Sequence, residues 1–215
     1  MVDLLPIPSP SEPLYYGEPG QPLVVILPDW YGRLPWLEAY AEAVSSRGLR
    51  VAVLDLYGGW ATTSAEQAEV LMNELDLGAT LALIDDVIAA ERATGSQKVG
   101  TIGFSVGGWL ALVHAEGGAT DAVVSYYSSL SAADHGVIPA PVMLHFAETD
   151  TWEPGETPAE FIDRLKDHGT PVIEHTYLGT VHSFANATIS SNVDARAAAL
   201  AFARSVSFLE NHLGE

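Results

Sequence analysis

The stretch TIGFSVGGWL, residues 101–110, sets one serine among three glycines where an apolar run gives way to a helical pattern. The run before it, KVGTIGFS (98–105), has the look of a buried strand, and residues 103–107 then spell G-x-S-x-G, the pattern of a nucleophile elbow. In that turn the serine backbone is strained, and side chains two positions to either side would collide with neighbouring chain. Glycine at 103 and 107 removes the collision. Such a turn lifts the Ser105 hydroxyl above the sheet and aims the next amide, that of Val106, at the place where an oxyanion forms. A phosphate-binding turn is the competing reading. The glycines have the wrong spacing for G-x-G-x-x-G, and the next apolar run, AVVSYYSS (122–129), ends without the acidic residue that would hold a ribose. A second alternative, close helix packing without chemistry, survives the pentapeptide taken alone.

Working outward, further apolar runs occur at PLVVILPD (22–29), RVAVLDLYG (50–58), PVMLHFAE (141–148) and PVIEHTYLG (171–179). Most lack polar alternation, as strands covered on both faces do. Helical patterns lie between them. Leu37, Tyr40, Ala41 and Val44 follow the i, i+3, i+4, i+7 spacing before Gly48, and Ala199, Phe202, Ala203, Val206 and Leu209 form a second stripe near the end. Ser64 with Gln67, and Thr157 with Glu160 behind Pro158, have the spacing of capping boxes. Alternating strands and helices predict an α/β chain: an open, mostly parallel sheet in a three-layer α/β/α sandwich. We read residues 1–215 as one domain, with the Pro-rich residues 1–20 wrapping the sheet edge or forming a short hairpin.

The totals narrow the classes of function. At 215 residues and 48% hydrophobic content the chain can bury one sizeable core. No stretch approaches the roughly 20 apolar residues of a membrane span, and the start MVDLLPIPSP does not read as a secretory signal, so a cytoplasmic location is expected, with no membrane partner. The absence of cysteine excludes disulfides, thiolate metal sites and a cysteine nucleophile. A net charge of −19 repels phosphate backbones, so nucleic acid is not an expected partner. Solubility or a salty environment accounts for that charge without any role in recognition. No cluster of histidine and carboxylate has metal-ligand spacing, so neither metal nor other cofactor is expected.

A serine hydroxyl needs a base near neutral pH. In a sheet of this kind the partners are expected as acid and then histidine, each at the carboxyl end of a later strand. Of seven histidines, His114 falls in the helix after the elbow, His145 and His175 in strand patterns, His168 at a helix end and His212 in the tail, while the loop residue His135 precedes any good acid. His182, in LGTVHSFAN, lies in a loop just past a strand. For the acid, Asp150 in HFAETDTWEP stands immediately past the strand at 141–148, with Glu148 and Glu153 as alternates. A capping aspartate and a loop histidine are common singly. The chain order of serine, acid and histidine at three strand ends is what favours a triad.

With these residues in place, the sequence resembles the dienelactone hydrolase family of the α/β-hydrolase superfamily from about residue 22 to the tail. LPDWYG, LDLYGG, KVGTIGFSVGG, DAVVSYYSS, HFAETDTWEP and YLGTVHSFAN each echo a family block in the right order. The resemblance implies an α/β-hydrolase fold and matches Asp150 and His182 to the family's acid and base. Ser105 stands where the family usually has cysteine. Asp29 occupies the place of a glutamate that interacts with the resting nucleophile, with a shorter arm, and Trp30 would supply the second oxyanion amide.

The enzyme that acts on dienelactone holds the substrate carboxylate with arginines. One of these lies four positions after the histidine, where this chain has Asn186, and the segment 60–78 holds no Arg or Lys. Arg33 is the basic residue expected near the mouth. A neutral ester, lactone or thioester is therefore expected in place of an anionic lactone. Tyr31, Tyr57, Trp60 and Trp152, with Trp30, are candidates for an apolar pocket, or equally for core or interface positions. The expected activity is hydrolysis of a small-molecule ester or lactone through an acyl-enzyme. Transfer of the acyl group to another acceptor, cleavage of a thioester or peptide, and a non-catalytic binding role on the same scaffold are the alternatives. One chain does not reveal its oligomeric state.

Overall fold

Parallel strands pack where helices cover both faces of a sheet, and the runs at residues 23–27, 99–104, 122–126 and 142–147 are buried along their length, whereas the edge strand at 172–181 is largely exposed. The computed structural model describes residues 4–152 and 157–214. In chain order its elements are β1 (Leu4–Pro6), β2 (Leu14–Tyr16), β3 (Leu23–Leu27), α1 (Pro35–Ser45), β4 (Arg50–Val53), β5 (Trp60–Thr62), α2 (Ala65–Asn73) and α3 (Leu77–Ala93). There follow β6 (Val99–Phe104), α4 (Val106–Ala115), β7 (Ala122–Tyr126), β8 (Val142–Thr149), α5 (Pro158–Asp167), β9 (Val172–Val181) and α6 (Ala195–Leu213). The main sheet has the order β2-β4-β3-β6-β7-β8-β9, parallel throughout except where β2 pairs antiparallel with β4.

Strand side chains alternate between the faces. Val24 and Ile26 pack with Val51, Val53, Ile102, Val124 and Tyr126 against α1 and α6. Leu23, Val25 and Leu27 pack with Val99, Val123, Val142 and Leu144 against α3, α4 and α5. The expected three layers are thus present, and among the described residues no helix is long and apolar enough to cross a membrane.

Before β3, β2 pairs with β4 at the edge of the main sheet, and β1 forms a separate two-stranded ladder with β5. Arg33 secures this strap. Its guanidinium, 1% exposed, donates to the carbonyls of Pro8, Ser9 (3.0 Å), Glu12 (2.7 Å) and Val53 (3.3 Å). Arg33 is therefore a structural staple and not, as its position in the sequence suggested, a charge at the mouth of the site. The Thr157–Glu160 capping box forms in full, whereas Ser64 begins α2 without a side-chain cap, its own amide donating instead to Thr62 Oγ1 at 3.0 Å.

Under α6 a buried polar chain crosses the core. The Ser205 hydroxyl donates to Ala201 O (2.9 Å), so it must accept from both Tyr126 Oη (2.7 Å) and His145 Nε2 (2.9 Å). His145 Nδ1 is then left to accept from the Tyr177 hydroxyl (2.8 Å), and Tyr40 donates to Tyr126 (3.1 Å). Burial holds the His145 imidazole well below its ordinary titration range, aided by the neighbouring charges of His175 and Arg204. The unfolded chain therefore takes up a proton near pH 6.5 that the folded chain refuses, and stability is lost as pH falls below that point. We expect the His145 contribution to lower the melting temperature between pH 7 and pH 5, against the opposite slope of the buried carboxyl of Asp29. His145→Gln should lower stability by about 1–3 kcal/mol at pH 7 and flatten that pH slope. An unchanged slope in thermal melts of the variant would exclude His145 as its source.

Candidate active site

The carboxyl ends of parallel strands share one rim, and there the sheet gathers the residues that follow β3, β6, β7, β8 and β9. Ser105, between β6 and α4, has φ +54° and ψ −118°, a conformation costly for any residue with a Cβ. Its neighbours explain how it is held. A Cβ on Gly103 would strike the carbonyl of Gly107, and one on Gly107 would strike the carbonyls of Leu27 and Pro28. A Cβ on Gly108 would come within 2.7 Å of Ser125 Oγ. The three glycines let the first turn of α4 press against the exit of β3, and the serine is trapped between them.

The Ser105 hydroxyl lies 2.8 Å from His182 Nε2, and His182 Nδ1 lies 2.7 Å from Asp150 Oδ2. Because the carboxylate only accepts, Nδ1 carries the proton and Nε2 is the acceptor for Ser105. Asp150 is fixed in turn by the Trp152 amide on Oδ1 (2.9 Å), and the His182 carbonyl accepts from Asn192 Nδ2 (3.0 Å). Both partners are largely screened from water, with side chains 13% and 7% exposed. The alternates are elsewhere: Glu148 accepts from the Gly179 amide (2.7 Å), and Glu153 lies outside the described residues. The other histidines are also engaged away from Ser105, His114 with Asp85 and His145 within the core chain.

Two backbone amides sit at this rim. Val106 is the first residue of α4, where a helix leaves its amides unpaired. Trp30 lies in a turn in which the Gly32 amide donates to Asp29 O (3.0 Å) and the Tyr31 amide to Asp29 Oδ1 (3.0 Å). Asp29 itself is fully buried, and its Oδ2 accepts from Asn186 Nδ2 at 2.8 Å. Burial pushes its carboxyl up to about 6, against the opposing pull of those hydrogen bonds and of His182.

A cavity of about 250 Å³ opens over the serine and is mostly apolar, with Met72, Val106, Trp109, Tyr127, Phe146 and Trp152 in its wall. Tyr127 holds φ +40° just past β7, with its ring 5.0 Å from that of His182. Of the aromatic candidates, Trp152 lines this space and Trp30 backs it edge-on at 4.5 Å. Tyr31 packs behind Trp30, Tyr57 is buried in the loop after β4, and Trp60 lies on the outer ladder, 44% exposed. Asn186 is turned inward to Asp29 and does not face the cleft. The sequence reading missed Met72, Trp109, Tyr127 and Phe146. Two of these carried a signal: Trp109 is one helical turn past Ser105, and Tyr127 stands at a strand end.

The sequence pattern of the dienelactone hydrolase family matches residues 14–213. The chain belongs to the dienelactone hydrolase family. With that membership it is a hydrolase of the carboxylic-ester and lactone class. A carboxymethylenebutenolidase from Pseudomonas putida is 28% identical over 211 residues, covering 90% of this chain and 88% of the relative. The crystal structure of a dienelactone hydrolase-like promiscuous phosphotriesterase from metagenomic libraries superposes with a TM-score of 0.80 at 21% identity, covering 92% and 89% of the two chains. A dienelactone hydrolase from Anabaena variabilis ATCC 29413 gives 0.63 at 18% identity, covering 94% and 99%. At such identities the structural likeness speaks for the α/β-hydrolase fold alone.

Two outcomes follow from this geometry. Gly107→Ala should cost about 3 kcal/mol or more, because two backbone carbonyls must yield, and a variant that melts like wild type would contradict the packing argument. Asp29 titrates near 6 when folded and near 3.8 otherwise, so its contribution to stability is full below pH 3.8 and is lost as pH rises through 6. Relative to wild type, Asp29→Asn should therefore gain stability from pH 4 to pH 7, on the order of 3 kcal/mol. A pH-independent difference in melting temperature would remove Asp29 as the titrating group.

Proposed function

We propose that the chain is a serine hydrolase that cleaves small, uncharged carboxylic esters or lactones through an acyl-enzyme, with Ser105 as nucleophile, His182 as base and Asp150 as the acid that orients it. The observation that carries this reading is the continuous hydrogen-bonded line from Ser105 Oγ through both nitrogens of His182 to Asp150. His182 Nε2 takes the hydroxyl proton as Oγ attacks the ester carbonyl, and Asp150 stabilises the imidazolium that results. The oxygen of the tetrahedral intermediate gains negative charge, which the amides of Val106 and Trp30 receive. His182 then gives its proton to the departing alkoxide, leaving an acyl ester on Ser105. Water, activated by the same imidazole, attacks that ester and releases the acid, and the serine recovers its proton.

The uncharged substrate is argued from the cavity wall. It is apolar around the serine, it includes no Arg or Lys among the described residues, and Arg33 is committed to the N-terminal strap. An anion entering it would lose hydration and meet the carboxylate of Asp150 without a compensating partner. A cavity of this size suits a short acyl or single-ring group.

Ser105→Ala should lower p-nitrophenyl ester turnover by about 10³-fold or more while leaving the melting temperature and circular dichroism in place, and a fluorophosphonate probe should label wild type only. Turnover or labelling retained in the variant overturns the assignment. Among matched esters, those bearing a second, ionised carboxylate should show kcat/KM at least about tenfold below their neutral counterparts. Preference for the charged series would overturn the substrate class.

A further inference from the structure

We propose that Asp29 and Asn186 form a positioning pair that sets the Trp30 amide for the developing oxyanion. The proposal rests on the serine-hydrolase reading above and assigns to these residues a role in which neither touches the substrate.

Of the two oxyanion amides, that of Val106 is oriented by α4 itself, whereas Trp30 lies in a loop with no helix to aim it. What aims it is Asp29. In the turn 29–32 the backbone carbonyl of Asp29 takes the Gly32 amide, and its side-chain Oδ1 takes the Tyr31 amide. The Trp30 amide between them donates to no described residue. A buried amide left over in an otherwise satisfied turn is costly unless something arrives to accept from it. The turn starts directly after Pro28, whose carbonyl packs on Gly107 of the elbow, so the turn that carries the leftover donor abuts the elbow.

The second oxygen of Asp29 ties this turn to the loop that carries His182. Asn186 is fully buried, its Nδ2 donates to Asp29 Oδ2, and its Oδ1 accepts from the Thr188 amide at 2.9 Å. Only this orientation of the amide satisfies both ends. One hydrogen bond, bridging 157 positions of chain, thus fixes the oxyanion loop relative to the loop of the base. Both Asp29 oxygens act as acceptors, so the ionised form holds the arrangement. The groups that face it are His182, the Tyr31 amide, Asn186 and the hydroxyl-bearing rings of Tyr31, Tyr57 and Tyr127. None but His182 can bring it a positive charge.

The test compares kcat and KM of Asp29→Ala, Asp29→Asn, Asn186→Ala and the Asp29→Ala/Asn186→Ala double variant on a neutral p-nitrophenyl ester at pH 8, beside wild type and Ser105→Ala. Asp29→Ala should lower kcat about 10²-fold with KM within about threefold, the loss of one placed oxyanion donor. Asn186→Ala should lower kcat about tenfold, and the double variant should fall no further than Asp29→Ala, because Asn186 acts only through Asp29. Asp29→Asn keeps an acceptor for the Tyr31 amide and should retain kcat within about tenfold of wild type. Losses that multiply in the double variant, or a kcat within about threefold of wild type for both Asp29→Ala and Asn186→Ala, overturn the proposal. If Asp29→Ala does not fold, a kcat within about threefold of wild type for Asn186→Ala overturns it equally. Turnover present in wild type and absent in Ser105→Ala keeps the hydrolase reading standing whatever these variants show, and a wild type without turnover fails that reading instead.

Discussion

The close approach of α4 to the end of β3 is the constraint around which the site is assembled. It exists because Gly103 and Gly107 carry no Cβ, so the first turn of the helix can rest directly on the carbonyls of Leu27 and Pro28. Two consequences come from this one contact. Ser105 is forced to φ +54° and holds its hydroxyl above the sheet, and the loop leaving β3 is brought alongside it. A bulkier residue at either glycine would move Ser105 and the loop leaving β3 together, so their relative placement is a property of the backbone packing.

Around this fixed oxygen the charges are arranged with opposite costs. Asp150 has a titratable partner in His182 and an amide donor in Trp152, so its burial is compensated. Asp29 has only amide donors, and its burial raises its carboxyl toward neutrality, which places a standing cost on the folded state above pH 6. His145, neutral beneath α6, imposes a cost of the other sign below its unfolded pKa. The two residues tilt the stability curve in opposite directions, one belonging to the rim where chemistry is proposed and the other to the core. Stability surrendered at such a rim is a common companion of activity.

The sheet was legible because central parallel strands covered on both faces must be apolar, and the runs at 22–29, 98–105, 122–129 and 141–148 declare themselves by that property, while the mixed run 171–179 forms the exposed edge. Ser105, Asp150 and His182 were legible for a related reason: each follows the end of a run, and parallel strands ending at one rim convert chain order into proximity. The reading failed where side-chain direction depended on partners distant in sequence. Arg33 lies in the loop that would form the mouth, yet its fork is drawn to the carbonyls of Pro8, Ser9 and Glu12. Asn186 stands where the resemblance would place a substrate-binding group, but a buried aspartate was waiting behind it. A separate, local case is Ser64, which has a cap's spacing but makes no side-chain cap, its amide donating to Thr62 Oγ1.

Local periodicity was therefore enough for the α/β architecture, and chain order at the strand ends favoured Ser105, Asp150 and His182, because these depend mainly on backbone conformation and strand polarity. Tertiary structure alone decided the cavity wall of Met72, Trp109, Tyr127, Phe146 and Trp152, the retirement of Arg33 to the strap, and the link between Asp29 and Asn186. These depend on which surfaces meet when helices dock on a sheet, and a side chain's neighbours across 157 positions leave no periodic trace in the chain.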